Sequence, residues 1–95
     1  MAAYVIVEVN VTDPQLYGEY AKGVSATIAA YGGKYLVRGG GVEPKEGGWA
    51  PKRVVVLEFP SMDQARKWYH SQEYKPLLDM RLKAATAKLI LVEGV

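Results

Sequence analysis

Arg38 closes a short apolar segment and is followed at once by Gly39, Gly40 and Gly41. A guanidinium offers a planar fork of donors that matches a carboxylate or phosphate, and glycines let a ligand approach the backbone. The competing reading is an arginine that neutralises a glutamate of the sheet. Arg81 is the second arginine out of place. At helical spacing it shares a face with Tyr74, Leu77 and Leu78, where an unpaired charge is expensive. Either its stem packs while its head reaches water, or it serves a buried acceptor or ligand. Tyr20 and His70 are the proton-transfer candidates by chemical type. Trp49 stands in a glycine-rich loop, where it could flank a cleft mouth or help exchange contacts across a dimer.

Several chemistries are excluded outright. His70 is the only histidine, so no multi-histidine metal site can form within one chain, and no metal is expected. It could act as a lone acid or base or as an axial haem ligand, or simply end a helix, where its charge suits the dipole. The chain has no cysteine, which removes disulfides, zinc thiolates and thiol catalysis. The glycine run lacks the third glycine and the opening helix of a dinucleotide fingerprint, and no cofactor is expected. A net charge of +2 without a basic block gives no case for nucleic acid. Seven tyrosines against one phenylalanine suggest pocket hydroxyls, although tyrosine also serves as core packing.

The elements that position these residues follow from periodicity. Three apolar, β-branched runs (4–11, 53–59 and 88–94) are too short to span a bilayer and read as strands. Asp13-Pro14 is a helix start, with Asp as N-cap and Pro in the first turn. Leu16, Tyr17, Tyr20, Val24, Ile28 and Tyr31 recur at helical spacing until Gly32-Gly33 ends the helix. Lys34 to Arg38 is a short strand, and a loop of turn formers leads to the next. Ser61 and Gln64 fit a capping box, with Met62, Ala65, Trp68 and Tyr69 inward. Ser71 can cap a further helical segment with Pro76 in its first turn and Ala85 on its inner face. The order is β-α-β-β-α-β with the second helical region split. That order implies an α+β, ferredoxin-like sandwich with a four-stranded antiparallel sheet, one domain over 1–95.

The sheet is expected to be apolar on both faces, because none of the three long runs alternates. Two helical layers cover one face only, leaving roughly 400–700 Å² of apolar surface, more than a soluble monomer usually shows. A homodimer packed sheet to sheet is the simplest remedy. Each long run carries one glutamate. The charge-free parities (Val5/Val7/Val9, Val55/Leu57/Phe59, Ile90/Val92) are expected under the helices, together with Tyr35 and Val37. The face bearing Glu8, Arg38, Glu58 and Glu93 is then the partner face, with Arg38 or Lys34 offsetting the acids. The alternative is that the glutamates lie at strand ends in water. The N-terminus lacks a basic segment before an apolar core, so a soluble, cytoplasmic protein with no membrane partner is expected.

The strings YGGKYLVRGG (31–40) and RVVVLEFPS (53–61), a W-Y-x-S-x-E-Y segment (68–74), a closing LILVEG and the early VTDP-x-x-Y (11–17) also resemble the domain-of-unknown-function family numbered 1330. The resemblance spans essentially the whole chain. It implies a ferredoxin-like, dimeric α/β-barrel fold and no particular activity. Related barrels include cofactor-independent monooxygenases, isomerases and haem-binding proteins, an analogy of fold only. Two classes of function stay open. One is a binder or cofactor-free enzyme taking a small anionic or aromatic metabolite near Arg38, Arg81, Tyr20 and Trp49. The other is a non-catalytic dimeric module whose charges only organise an interface.

Overall fold

A computed structural model describes all residues, 1–95. Its elements are β1 (Ala3–Val11), α1 (Pro14–Ala30), β2 (Lys34–Arg38), β3 (Arg53–Phe59), α2 (Met62–Tyr69), α3 (Lys75–Ala84) and β4 (Ala85–Glu93). The strands form one antiparallel sheet in the order β2-β3-β1-β4, with the helices on one face, the α+β ferredoxin-like arrangement.

Local chemistry sets the boundaries. The Asp13 carboxylate accepts from the Leu16 N–H at 3.1 Å, and Pro14 fills the first turn of α1. Gly32, at φ +81°, ends the helix in the left-handed region that glycine enters without penalty, and its N–H donates to the Ala29 carbonyl. Ser61 caps α2 by accepting from Gln64 N–H at 3.1 Å. The expected capping box is only half formed. The Gln64 side chain reaches across to the Tyr31 carbonyl at 2.9 Å instead, tying the start of α2 to the end of α1. Ser71 accepts from the Tyr74 N–H and donates to the Trp68 carbonyl, organising the turn before α3. Ala85 is not helical as expected. It is already extended, so α3 runs into β4 with no linker.

Between sheet and helices lies an aromatic core. Trp68 stacks at 4.2 Å from Tyr74 and 5.4 Å from Phe59, and its indole N–H donates to the Thr27 hydroxyl at 3.1 Å. Val5, Val9 and Phe59 complete its floor. Each such side chain contributes roughly 1.5–3 kcal/mol of apolar transfer on burial.

Residues facing each other across an antiparallel pair share a face, so register decides which side chains meet the helices. Val5, Val7 and Val9 face the helices as expected, and so do Leu57 and Phe59. In β4 the expectation is reversed. Leu91 lies opposite Val5 and Leu89 opposite Val7, which turns Ile90 and Val92 outward, 56% and 39% exposed. Both parities of β4 are apolar, and its single acid could not discriminate between them. Glu93 is opposite buried Ala3 and exposed at the strand end, so it does not belong to the outer face.

Arg38 changes face as well. Tyr35 pairs with Leu57 but Val37 pairs with Val56, which leaves Leu36 as an extra residue, a β-bulge. Beyond the bulge the parity of β2 inverts. Val37 turns outward, and Arg38, opposite Val55, points to the helices rather than to a partner.

Candidate functional site

Helix α1 packs chiefly on α3 and covers the strands only in part, through Tyr20, Val24 and Ile28, leaving a gap beneath it. The gap is a cavity of about 360 Å³, walled by Tyr17, Tyr20, Val24 and Ile28 of α1, by the valines of β1, and by Tyr35, Val55 and Leu57. Such dimensions suit a small organic molecule.

Three arginines enter this cavity, and no aspartate, glutamate or histidine lines it. Arg81, on α3, is 5% exposed, and its Nε is shielded from water without a hydrogen-bond partner. Burial opposes its charge, but the Tyr74 hydroxyl, followed by Tyr20 and Tyr69, favours it, and the net shift is upward. Arg53 opens β3 opposite Val9, so it too points to the helices. Its guanidinium lies 5.7 Å from the Tyr17 ring and presses on Gly39, and its Nε is also shielded and unpartnered. Gly39 has φ +69°, and a Cβ there would fall on the Arg53 guanidinium, so the close approach requires glycine. Arg38 sits 3.9 Å over the Tyr35 ring and donates to the Ser25 hydroxyl at 3.1 Å. None of the three forms a salt bridge; the ion pairs of the molecule are Lys34–Glu58, Lys45–Glu43 and Arg66–Asp63.

Tyr20 lies at the cavity wall with its hydroxyl 3.1 Å from that of Tyr74. Burial, and then Tyr74, push its ionisation far above the ordinary tyrosine range. A phenol so placed donates a hydrogen bond or a proton and does not act as a base at neutral pH.

Of the candidates named from sequence, the structure places Arg38, Arg81 and Tyr20 along the lining of one cavity. His70 does not join them; it is exposed and serves as the C-cap of α2. Trp49 is absent from the lining as well. Its indole N–H donates to Glu8 at 3.4 Å over the opposite sheet face, beside a shallower hollow edged by Asn10, Lys52 and Lys88. Arg53 is the residue that sequence reasoning misses. The signal was available: it shares parity with Val55, Leu57 and Phe59, and is therefore a cation in a core-facing column.

Residues 2–95 match the model of DUF1330, a domain of unknown function. The chain belongs to that family. No match was found among curated proteins. Among solved structures, this DUF1330 chain is similar to a protein of unknown function from Rhodopseudomonas palustris, with TM-score 0.76 and 16% identity over 99% of this chain and 82% of the other. It is also similar to SnoaB, a cofactor-independent oxygenase from Streptomyces nogalater, with TM-score 0.65 and 12% identity over 99% and 93% of the two chains. A dimeric protein of unknown function with a ferredoxin-like fold from Bacteroides fragilis aligns at TM-score 0.56 and 10% identity over 98% and 96%. At these identities the likeness is one of fold. No helix of the DUF1330 chain is long and apolar enough to cross a membrane.

Proposed function

We propose that this DUF1330 protein is a homodimer that binds a small organic anion with an apolar body in the cavity under α1. One observation carries the reading: Arg38, Arg53 and Arg81 enter the same cavity, and the lining holds no carboxylate to offset them. Arg81 is 5% exposed, holds its charge beside the Tyr74 hydroxyl and keeps an unpartnered Nε, and an anionic ligand would supply the counter-charge that the cavity lining lacks. The aromatic walls suit a flat, apolar body. The alternative, a module whose arginines only organise an interface, predicts carboxylates beside them, and there are none in the cavity. Binding is favoured over proton-transfer catalysis because the lining offers tyrosine, lysine and arginine but no group that is basic near neutral pH.

The homodimer is supported by the outer sheet face. Ile90, Val92 and Val37 lie exposed there beside half-buried Tyr4, Ile6, Val54 and Val56. Its charges are balanced: Lys34 pairs with Glu58 at 3.3 Å, and Lys88 stands opposite Glu8. A second copy presenting the same face covers the apolar patch without stranding an acid.

Titration calorimetry with benzoate and with neutral benzamide tests the cavity. Benzoate is expected to bind, benzamide not to, and Arg81→Gln to abolish the difference. Equal behaviour of the two compounds would overturn the anion reading. Light scattering that finds a monomer at micromolar concentration would overturn the dimer.

A further inference from the structure

The three arginines are not clustered at one point. Arg53 rests its guanidinium on Gly39, the residue next to Arg38, and Arg38 lies opposite Val55 on the adjoining strand. These two therefore form one cationic pole, at the β2–β3 side, where Arg38 is exposed and Arg53 half-buried. Arg81 comes from α3, which packs on α1 and β4, and it is almost wholly buried beside Tyr20 and Tyr74. The lining residues run from Tyr35 on β2 to Leu89 on β4. Arg53 lies 5.7 Å from the Tyr17 ring, and the Tyr17 and Tyr20 ring centroids are 5.4 Å apart, so these two tyrosines stand between the poles.

Neither pole has an internal counter-charge, and the stretch between them is apolar: Val7, Val9, Val55 and Leu57 below, Val24 and Tyr20 above. A single carboxylate satisfies one guanidinium fork well and leaves the far pole as it was. Resting on the proposed anion-binding cavity, we infer that its ligand is a compact, flat organic dianion with an acidic group at each end, one held by Arg81 and the other by the Arg38–Arg53 pair. Tyr20, kept neutral, donates to the inner acidic group alongside Arg81 and raises selectivity for an oxyanion there.

The test compares four probes by calorimetry: benzoate, benzene-1,3-dicarboxylate, benzene-1,4-dicarboxylate and phenyl phosphate. The better of the two dicarboxylates is expected to bind at least about tenfold tighter than benzoate, since the second acid gains a charge-assisted contact. Arg53→Gln should weaken the dicarboxylate several-fold more than it weakens benzoate, and Arg81→Gln should weaken both compounds to a similar extent. Arg81→Lys, which keeps the charge without the fork, should recover part of the loss and guards against a folding artefact. Circular dichroism of each variant checks that it is folded.

Dicarboxylates that bind no better than benzoate would overturn the two-ended ligand and leave the anion cavity standing. Phenyl phosphate matching the best dicarboxylate would also overturn it, because two charges on one group would then suffice. If no acid binds at all, the cavity reading falls with it.

Discussion

The two faces of this sheet are both built largely from valine and other aliphatic residues with an occasional charge, yet they handle charge in opposite ways. On the outer face each acid has a partner in the chain itself, Lys34 bonded to Glu58, and Glu8 accepting from Trp49 with Lys88 opposite it in the register. On the helix face three arginines stand without an acid among the lining residues, two of them with a shielded Nε. A face whose charges are already balanced is suited to cover by a like surface. A face with a one-signed excess is suited to an oppositely charged visitor. The distinction lies in the pairing of charges and not in their number.

The comparison can be broken by substitutions on each side, taken here from the largest expected effect to the smallest. Trp68→Ala, under the helices, removes the ring between Phe59 and Tyr74 and should cost about 3–5 kcal/mol in urea unfolding. If it costs under about 1 kcal/mol, the helix side is not the core. Gly39→Ala introduces a side chain at positive φ against Arg53 and should cost about 1–2 kcal/mol for the backbone alone. It should also weaken dicarboxylate binding more than benzoate binding by moving Arg53. Unchanged affinity would mean that Arg53 does not need that seat.

Arg81→Met should have the opposite sign. Replacing a buried guanidinium that lacks a carboxylate partner with an apolar chain is expected to stabilise the ligand-free protein by about 1 kcal/mol or more while abolishing anion binding. A destabilised variant would show that the Tyr74 contact outweighs the burial cost of the charge and would overturn this prediction. On the outer face, Ile90→Lys should alter the unfolding free energy of the isolated chain by no more than about 0.5 kcal/mol, since the residue is exposed. By sedimentation it should nevertheless shift the protein towards monomer. Persistence of the dimer would place the interface elsewhere.

Alkaline pH sharpens the comparison from inside. Tyr20 has its ionisation raised by burial and then by Tyr74, so its contribution to stability is fully present below the unfolded-state value of about pH 10. It is lost as pH rises above that, by up to about 1.4 kcal/mol per unit. Tyr20→Phe should flatten that slope in unfolding measured between pH 9 and 11. An unchanged slope would mean that Tyr20 is not the group responsible.

Much of the architecture was legible in the residues. Asp13-Pro14 and Gly32 mark helix ends because their side chains, or the lack of one, satisfy or relax the backbone there. β1 and β3 were assigned to the correct faces because a single glutamate in a strand body is informative when its neighbours are buried. β4 was not, because Glu93 sits at the end of the strand, where either orientation reaches water. Arg81 was legible as a cation on an apolar helical face. Arg38 was legible as a candidate but assigned to the wrong side, since Leu36 interrupts the alternation and a bulge leaves no mark in residue type. Trp49 and His70 drew attention by chemical type alone, and type does not fix direction.

The bulge at Leu36 divides β2 into two counting frames. A relative that lacked the extra residue could keep an arginine in the aligned column and still carry it on the outside of the sheet. Gaining or losing one residue there would take one of the cavity's three guanidinium groups out of it without substituting any arginine. For proteins of this family, the spacing between the tyrosine and the arginine of the second strand is therefore as informative about binding as the arginine itself.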